Sequence, residues 1–408
     1  MGLLQQASLV ITPNAVKAGK LYSVVPIDGT GDLTVARNTS ATRVNSAGLI
    51  ETVGNNIARL DYSNGSCPSI LVEPQRTNLN LYSEDLANAY WFKFQSSILA
   101  NADISPSGDF TADKIVEDTT NNFHSIFIDR LTFSIGQSLT RSVYLKADNR
   151  SWVSLAIAES GTYYRAYFNL SNGTIGNVSS SITASIEQAA NGYYKCIITR
   201  VLTTTSPSSF AIELASDNGK NIYLGNGTSG VFVWGAQLEA GSNATSYIPT
   251  TTSTVTRVED RNNIVLTNKP FWNKNNFTIY WEGTFLNGSY NQATFGFGNS
   301  TDIVAIGASI CFYNNGVGVF SKQDGTSPGG LVIGSPLPNG SKYKLIIKRE
   351  GTEIKWFRNG VLLGVRTGEV VDYAYLGLNS GGSTYYLDKS FMIPSSLTDQ
   401  QCINLTTL

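Results

Sequence analysis

Histidine, cysteine and the carboxylates are the residues with which this chain could move protons, attack a carbonyl or hold a metal. They are sparse and poorly spaced. There is one histidine, His124, in 408 residues. A charge-relay arrangement or a histidine-based metal site would rest on that one ring with nothing in reserve, and its neighbours read as an ordinary strand. Cys67, Cys196, Cys311 and Cys402 are scattered and form no Cys-x-x-Cys, so no zinc-ligand spacing exists. Buried free thiols are the expectation, with disulfides the alternative that no spacing supports. Retaining glycoside hydrolysis needs two carboxylates ~5–5.5 Å apart, which positions i and i+2 or i+4 of a strand help provide. Among the 30 Asp and Glu residues no two lie two positions apart. Spacings of four include Asp28/Asp32, in a glycine-rich turn, and Asp109/Asp113 and Asp113/Glu117, in loop and strand edge. Carboxylates meeting across strands stay open. No Gly-x-Ser-x-Gly, P-loop or Rossmann fingerprint is present. Asp28-Gly-Thr-Gly-Asp32 offers oxygens for Ca²⁺ but lacks the full ligand ladder, so a turn is expected there. The reading is no catalytic residue and no cofactor, with a structural Ca²⁺ compatible with the composition but without an assigned place.

What the residue types do offer is non-covalent recognition. A sugar ring has polar edges and an apolar C–H face; aromatic rings stack on the face, and Arg or Asn take the hydroxyls. Residues 151–158 and 163–170 alternate with the two-residue period of strands. Val153, Leu155 and Ile157, with Tyr164, Ala166, Phe168 and Leu170, read as core. The opposite set, if the two strands form a hairpin, brings Trp152, Tyr163, Arg165, Tyr167 and Asn169 onto one outer face. These five are the candidate glycan-binding residues. The competing reading is that the same rings pack against a neighbouring domain or subunit, since aromatics and Arg are enriched at protein interfaces. Trp91, Trp234, Trp281 and Trp356 read as core.

The elements that must position these residues are strands. Nine Asn-Gly pairs punctuate short alternating runs, and Asn-Gly favours tight hairpin turns because both residues tolerate positive φ. With few helical stripes, this predicts an all-β protein of antiparallel sheets. Residues 353–358, Asn359-Gly360 and 361–365 predict a hairpin. Residues 231–238 predict a strand with Phe232, Trp234, Ala236 and Leu238 on one face, and Val231, Val233 and Gln237 on the other. Two short helices are predicted: one capped by Ser83, with Leu86, Ala89 and Tyr90 as its apolar stripe, and one opened by the Thr398–Gln401 capping box. Charged residues make up 14% of the chain, against about 25% in a typical soluble domain. Net charge is −1 with no Lys/Arg block, which leaves nucleic acid no electrostatic foothold. No apolar run approaches the ~20 residues of a membrane helix, so membrane insertion is not expected. The N-terminus lacks the pattern of a signal peptide, so synthesis in a cytoplasm is expected.

Two stretches carry a resemblance. TNLNLYSEDLANAYWFK, near Leu81, and WGAQLEAGSNATSYIPTTTSTVTR, ending at Arg257, occur in order and at domain-sized separation. They resemble the carbohydrate-binding-module-like jelly rolls of bacteriophage virion proteins. The resemblance extends upstream through Gly19 to Tyr62, a leader that commonly precedes such modules in phage proteins. Gly192-Tyr-Tyr-Lys-Cys196 is similar to a structural strand of that family. GTEIKWFRNGVLLG and LDKSFMIPSSLTDQQ resemble concanavalin A-like, laminin-G-like jelly rolls.

The resemblance implies tandem antiparallel β-sandwiches (jelly rolls) preceded by an extended N-terminal β segment. The expected divisions are 1–81, a docking or oligomerisation segment; 82–248, the first jelly roll; 249–261, a linker; and 262–408, the second sandwich. It implies a non-enzymatic head or tail fibre protein of a phage virion that binds host-surface carbohydrate, made in the host cytoplasm and displayed on the virion surface. Partners would be itself, as a dimer or trimer, and other virion proteins through the N-terminal segment. Residues 1–81 show no sustained core pattern; the competing reading is an ordinary small β domain, and under the docking reading their deletion is expected to leave folded but unassembled monomers. The alternatives are a virion-borne glycan-degrading enzyme and a purely structural capsid decoration.

Overall fold

The computed structural model describes residues 3–408 apart from 18, 206–207, 288–292, 300–308, 314–317, 322–330, 336–337, 368–369, 371 and 380–383. The protein is all-β, built of antiparallel sheets, as its turn chemistry predicts. It divides into two compact units. One comprises 1–46, 53–75 and 258–408, the other 47–52 and 76–257. The second unit is thus inserted in the chain of the first. Where it begins and ends, strands Arg76–Asn78 and Val255–Arg257 pair antiparallel.

The inserted unit is a sandwich of two six-stranded sheets. The first orders its strands as Phe92–Phe94, Ser125–Leu131, Ser208–Ala215, Trp152–Glu159, Thr162–Asn169 and Thr174–Val178. The second runs Ser96–Asp103, Ala112–Glu117, Gly230–Ala240, Ser138–Ala147, Tyr194–Val201 and Ile182–Gln188. Alternate residues of each strand fill the space between them. Val153, Leu155, Ile157, Ala166, Phe168 and Leu170 are all in this core, with Trp91 beneath them. Fully burying a side chain of this size is worth about 1.5–3 kcal/mol, which is why the two-residue period was so legible.

Two local expectations are corrected here. In strand Gly230–Ala240 the faces switch halfway. Tyr144 opposes Trp234 and Ser142 opposes Gln237, so two residues of this strand face one of its neighbour. The extra residue is Gly235, at φ +64°, the glycine of a β-bulge. Val231, Val233, Ala236 and Leu238 therefore share the core, while Trp234 joins Tyr144, Tyr193 and Tyr247 on the opposite face. The expected helix at 83–90 is a run of turns. Ser83 spends its hydroxyl on Tyr247, and the Leu86 N–H bonds the Asp113 carboxylate at 2.9 Å, so neither serves a helix N-terminus.

The other unit is a larger sandwich. One sheet holds strands Val361–Thr367, Glu353–Arg358, Lys342–Glu350, Asn276–Asn287, Thr384–Ile393, Ser69–Val72 and Arg59–Asp61, with Leu9–Ile11 also paired to Thr384–Ile393. The second includes Ala293–Gly298, Tyr375–Asn379, Arg261–Val265 and Thr34–Ala36. Phe277, Ile279 and Trp281 from the first meet Phe295, Phe297, Leu376 and Leu378 from the second. The hairpin turns at Asn359-Gly360, both at positive φ, and Thr398 caps helix Asp399–Thr406 with the reciprocal Gln401 bonds of a capping box. Gly288 and the pair Asn315-Gly316 lie outside the described residues.

The boundary expected at residue 81 is moved by this architecture. Leu9, Ile11, Leu21, Leu33, Ala58, Ile70 and Val72 lie in the same core as the C-terminal strands. The N-terminal stretch lacks a core pattern of its own because three of its short strands, Leu9–Ile11, Thr34–Ala36 and Ser69–Val72, pair with strands more than 180 residues away. A charge network fixes it there. Arg37 Nη1 donates to Asp260 at 2.8 Å and Arg59 Nη1 to Glu73 at 2.6 Å, while Arg59 also reaches Asp260 and the Glu73 N–H bonds Asp260 at 2.9 Å. All four side chains are buried.

Candidate functional site

The hairpin expected from alternation exists. Strands Trp152–Glu159 and Thr162–Asn169 pair with Trp152 opposite Asn169, Ser154 opposite Tyr167, Ala156 opposite Arg165 and Ala158 opposite Tyr163. Since the intervening residues fill the core, Trp152, Tyr163, Arg165, Tyr167 and Asn169 lie together on the outer face of the first sheet. The register also brings Glu213 opposite Ser154 and Phe127 opposite Ala211 on the same face.

The five side chains differ in what they leave open. Tyr163 is 45% exposed. Arg165 is half-buried; its Nε and Nη2 donate to Glu213 Oε2 and Oε1 at 2.8 and 3.0 Å. Its Cζ sits 4.7 Å from the Tyr163 ring centroid and 5.5 Å from that of Phe123. Burial works against the charge of Arg165, but the hydrogen bonds and charge of Glu213 outweigh it and raise its pKa. Trp152 is half-buried because the backbone of Gly176 lies against its ring; a Cβ there would come within 2.7 Å of it. Tyr167 is 7% exposed, and burial, with the nearby Glu213 charge, pushes its phenol pKa up. Tyr167 is a packing residue more than a contact surface. Asn169 accepts from the Ser171 N–H and hydroxyl at 3.0 and 2.6 Å, so its carbonyl oxygen is spent on a turn. The open part of the face is Tyr163, the free edge of Arg165, and Trp152.

Glu213 escaped the reading from sequence. Its carboxylate also accepts from Ser154 Oγ at 2.6 Å and Asn221 Nδ2 at 2.7 Å. The signal was present in Phe210-Ala-Ile-Glu-Leu214, where a carboxylate in an apolar strand must find a cation. Phe123 and Asn221 come from segments whose pairing no local pattern announces.

The residues examined for chemistry are engaged elsewhere. His124 is buried, with Nδ1 2.7 Å from the Gln95 carbonyl and Nε2 3.3 Å from that of Tyr223. Asp113 accepts from the Leu86 and Asn101 N–H groups, both at 2.9 Å. Glu117 accepts from Arg150, Tyr223 and the Asn226 N–H. Asp28 closes a turn on Thr30, and Asp32 pairs with Lys20. Among the described residues no group of three or more His, Cys, Asp or Glu is placed to hold a metal ion. Cys196, Cys311 and Cys402 are buried free thiols, while Cys67 is exposed.

The motif residues behind the family resemblance prove architectural. Ser83 and Tyr247 share a 2.6 Å hydroxyl hydrogen bond, and the Thr250 N–H reaches Ser83 Oγ at 2.8 Å. Gln237 Oε1 accepts the Ile248 N–H at 2.7 Å, and Glu239 accepts the Thr245 N–H at 2.9 Å. Asn78 accepts the Leu238 N–H and donates to the Ile248 carbonyl. The two stretches are the opening and closing of one sandwich, bonded to each other.

Fold and face together define a β-sandwich module with an outer aromatic and arginine face, carried as an insertion within a second sandwich. No protein-family model matches the sequence, and no curated protein does either. Among solved structures the chain is similar to domain 4 of AbnA, a GH43 extracellular arabinanase from Geobacillus stearothermophilus, in complex with arabinotriose. Identity is 12%, with 41% of this chain and 84% of that chain covered at a TM-score of 0.30. It is similar to the Ruminococcus gnavus IT-sialidase CBM40 bound to α2,3-sialyllactose, at 13% identity, 35% and 91% coverage and a TM-score of 0.29. It is also similar to the binding domain of botulinum neurotoxin DC in complex with rat synaptotagmin II, at 13% identity, 36% and 40% coverage and a TM-score of 0.28.

Proposed function

We propose that this chain is a non-enzymatic surface component of a bacteriophage virion, a head or tail fibre, which binds host-surface glycans through the Trp152–Tyr163–Arg165 face of its inserted sandwich. The observation that carries the glycan reading is the juxtaposition on one sheet face of an exposed tyrosine ring, a fixed guanidinium with a free edge, and a half-open tryptophan. That set matches the C–H faces and hydroxyl edges of a sugar. The virion assignment rests on the resemblance of the paired motifs and the upstream leader to phage virion modules. A homo-oligomer, dimer or trimer, follows from the gain that weak sugar sites draw from multivalency. Other virion proteins are the remaining partners. The non-enzymatic reading is in keeping with the engagement of Asp113, Glu117 and Glu213 in ion pairs and hydrogen bonds that hold the sheets together.

The test is retention of the full-length chain on purified host envelope polysaccharide, with reducing ends assayed in parallel. The Tyr163→Ala variant is expected to bind about tenfold more weakly, the loss of one aromatic contact of about 1.4 kcal/mol, and no reducing ends are expected. Unchanged retention in a Trp152→Ala/Tyr163→Ala variant overturns the assignment of the face. Release of reducing ends overturns the non-enzymatic reading in favour of a glycan-degrading enzyme.

A further inference from the structure

Arg165 lies on the outer face of the first sheet, and it is already matched. Glu213 takes the Nε/Nη2 edge of its guanidinium in a two-point bond, the arrangement that makes Arg a carboxylate receptor. Glu213 is itself 3% exposed and held by Ser154 and Asn221, so it cannot swing away to make room. Asp129 adds a second carboxylate, accepting from Ser209 on the same face. What Arg165 leaves is Nη1, which makes no hydrogen bond among the described residues, beside the exposed Tyr163 ring.

We infer that this face selects neutral glycans and rejects acidic ones, with Glu213 as the positioning residue that sets the selection. The inference rests on the face being the glycan site. A hydroxyl can accept from Nη1 while the ring it belongs to stacks on Tyr163. A sugar carboxylate, sulfate or phosphate at the same edge would share one guanidinium with Glu213, and like charges so placed repel across a desolvated pair. Glu213 thus does two things. It fixes the Arg165 plane against Tyr163 and Phe123, and it consumes the charge that would otherwise recruit acidic sugars.

The experiment is a printed array of bacterial surface polysaccharides and their fragments, in which each uronate-, sialate- or phosphate-bearing chain has a neutral counterpart. It is probed with the full-length wild-type chain and with Glu213→Gln. Wild type is expected to retain neutral members and not their acidic counterparts. In Glu213→Gln the ratio of acidic to neutral signal is expected to rise about tenfold and to fall again with added salt, because one uncompensated charge now faces the ligand. If Glu213→Gln does not fold, judged by loss of its unfolding transition, the sorting of wild-type signals alone decides. Wild-type signals concentrated on acidic members and abolished by Arg165→Gln overturn the selectivity while leaving a glycan-binding face. Signals on neither class, or signals unchanged by Tyr163→Ala, overturn the glycan reading and the selectivity with it.

Discussion

Arg165 reaches Glu213 across an intervening strand. Arg165 lies on Thr162–Asn169 and Glu213 on Ser208–Ala215, with Trp152–Glu159 running between them. The ion pair passes over Ala156 and Ser154, and both of those small residues are fully buried. A larger side chain at either position would lift the guanidinium off the sheet. The pair is thus a strap across three strands as well as the polar part of the candidate site.

Removing one partner of such a pair leaves the other poorly solvated. Glu213→Ala is expected to destabilise the inserted unit by about 2–4 kcal/mol, somewhat below the ~3–5 kcal/mol typical of a wholly buried pair because Arg165 keeps partial solvent contact. The double variant Arg165→Leu/Glu213→Leu is expected to recover most of the loss. Urea unfolding of the four proteins of the cycle measures the coupling; simple additivity would mean the strap has no energetic role.

The network of Arg37, Arg59, Glu73 and Asp260 ties the N-terminal stretch to the C-terminal sandwich. Asp260→Ala leaves two buried guanidinium groups short of a counter-charge and is expected to cost about 3–5 kcal/mol. In calorimetry the transition of the unit containing residues 258–408 should fall while that of residues 76–257 holds. Deletion of residues 1–81 removes strands from both sheets of that unit, so the expectation of folded monomers is replaced by loss of its cooperative transition.

Arg141 is buried in the core of the inserted unit, and its Nε, Nη1 and Nη2 have no hydrogen-bond partner among the described residues. The Trp91 ring, 5.9 Å from its Cζ, is a weak substitute for a counter-ion. Burial disfavours its charged form. Arg141→Met is expected to stabilise the unit by about 1–4 kcal/mol, as apolar replacements of buried charges do. A lowered unfolding midpoint would show that the guanidinium is doing necessary structural duty.

Acid sensitivity of the inserted unit should centre on Glu159. Burial tends to raise its pKa, but Arg200 and the Thr203 and Thr204 groups outweigh this and hold it down at about 2, against an ordinary 4.5. The folded state therefore binds this proton less readily than the unfolded chain. Its stabilising contribution is complete above the ordinary value and is lost as pH falls from about 4.5 towards 2. Glu159→Gln is expected to be less stable at pH 7 and to show a flatter stability profile over that window, measured by thermal unfolding at stepped pH.

The strand pattern and the shared face of Trp152, Tyr163, Arg165, Tyr167 and Asn169 were legible because a half-buried strand must alternate. The Asn359-Gly360 hairpin and the Thr398 cap were legible because their turn chemistry is local. Three things were not. Gly235 shifts the phase of its strand by one residue, and a glycine does not say in advance which way it will bend. The N-terminal strands share a core with partners that follow the inserted unit in the sequence, and separation of that kind leaves no local trace. The burial of Tyr167 and the pairing of Arg165 depend on Glu213 and on loop residues Phe123 and Asn221, which only tertiary structure assembles. Tyr163 and Tyr167 look alike in sequence; packing alone separates the exposed ring from the buried one.

The most direct measurement is a crystal structure of the full-length chain soaked with an oligosaccharide released chemically from the envelope polysaccharide that it retains. The account predicts an intact, uncleaved sugar lying on the Tyr163 ring, with a hydroxyl within hydrogen-bonding distance of Arg165 Nη1. A sugar bound on another surface, or one found cut beside a pair of carboxylates, would contradict it.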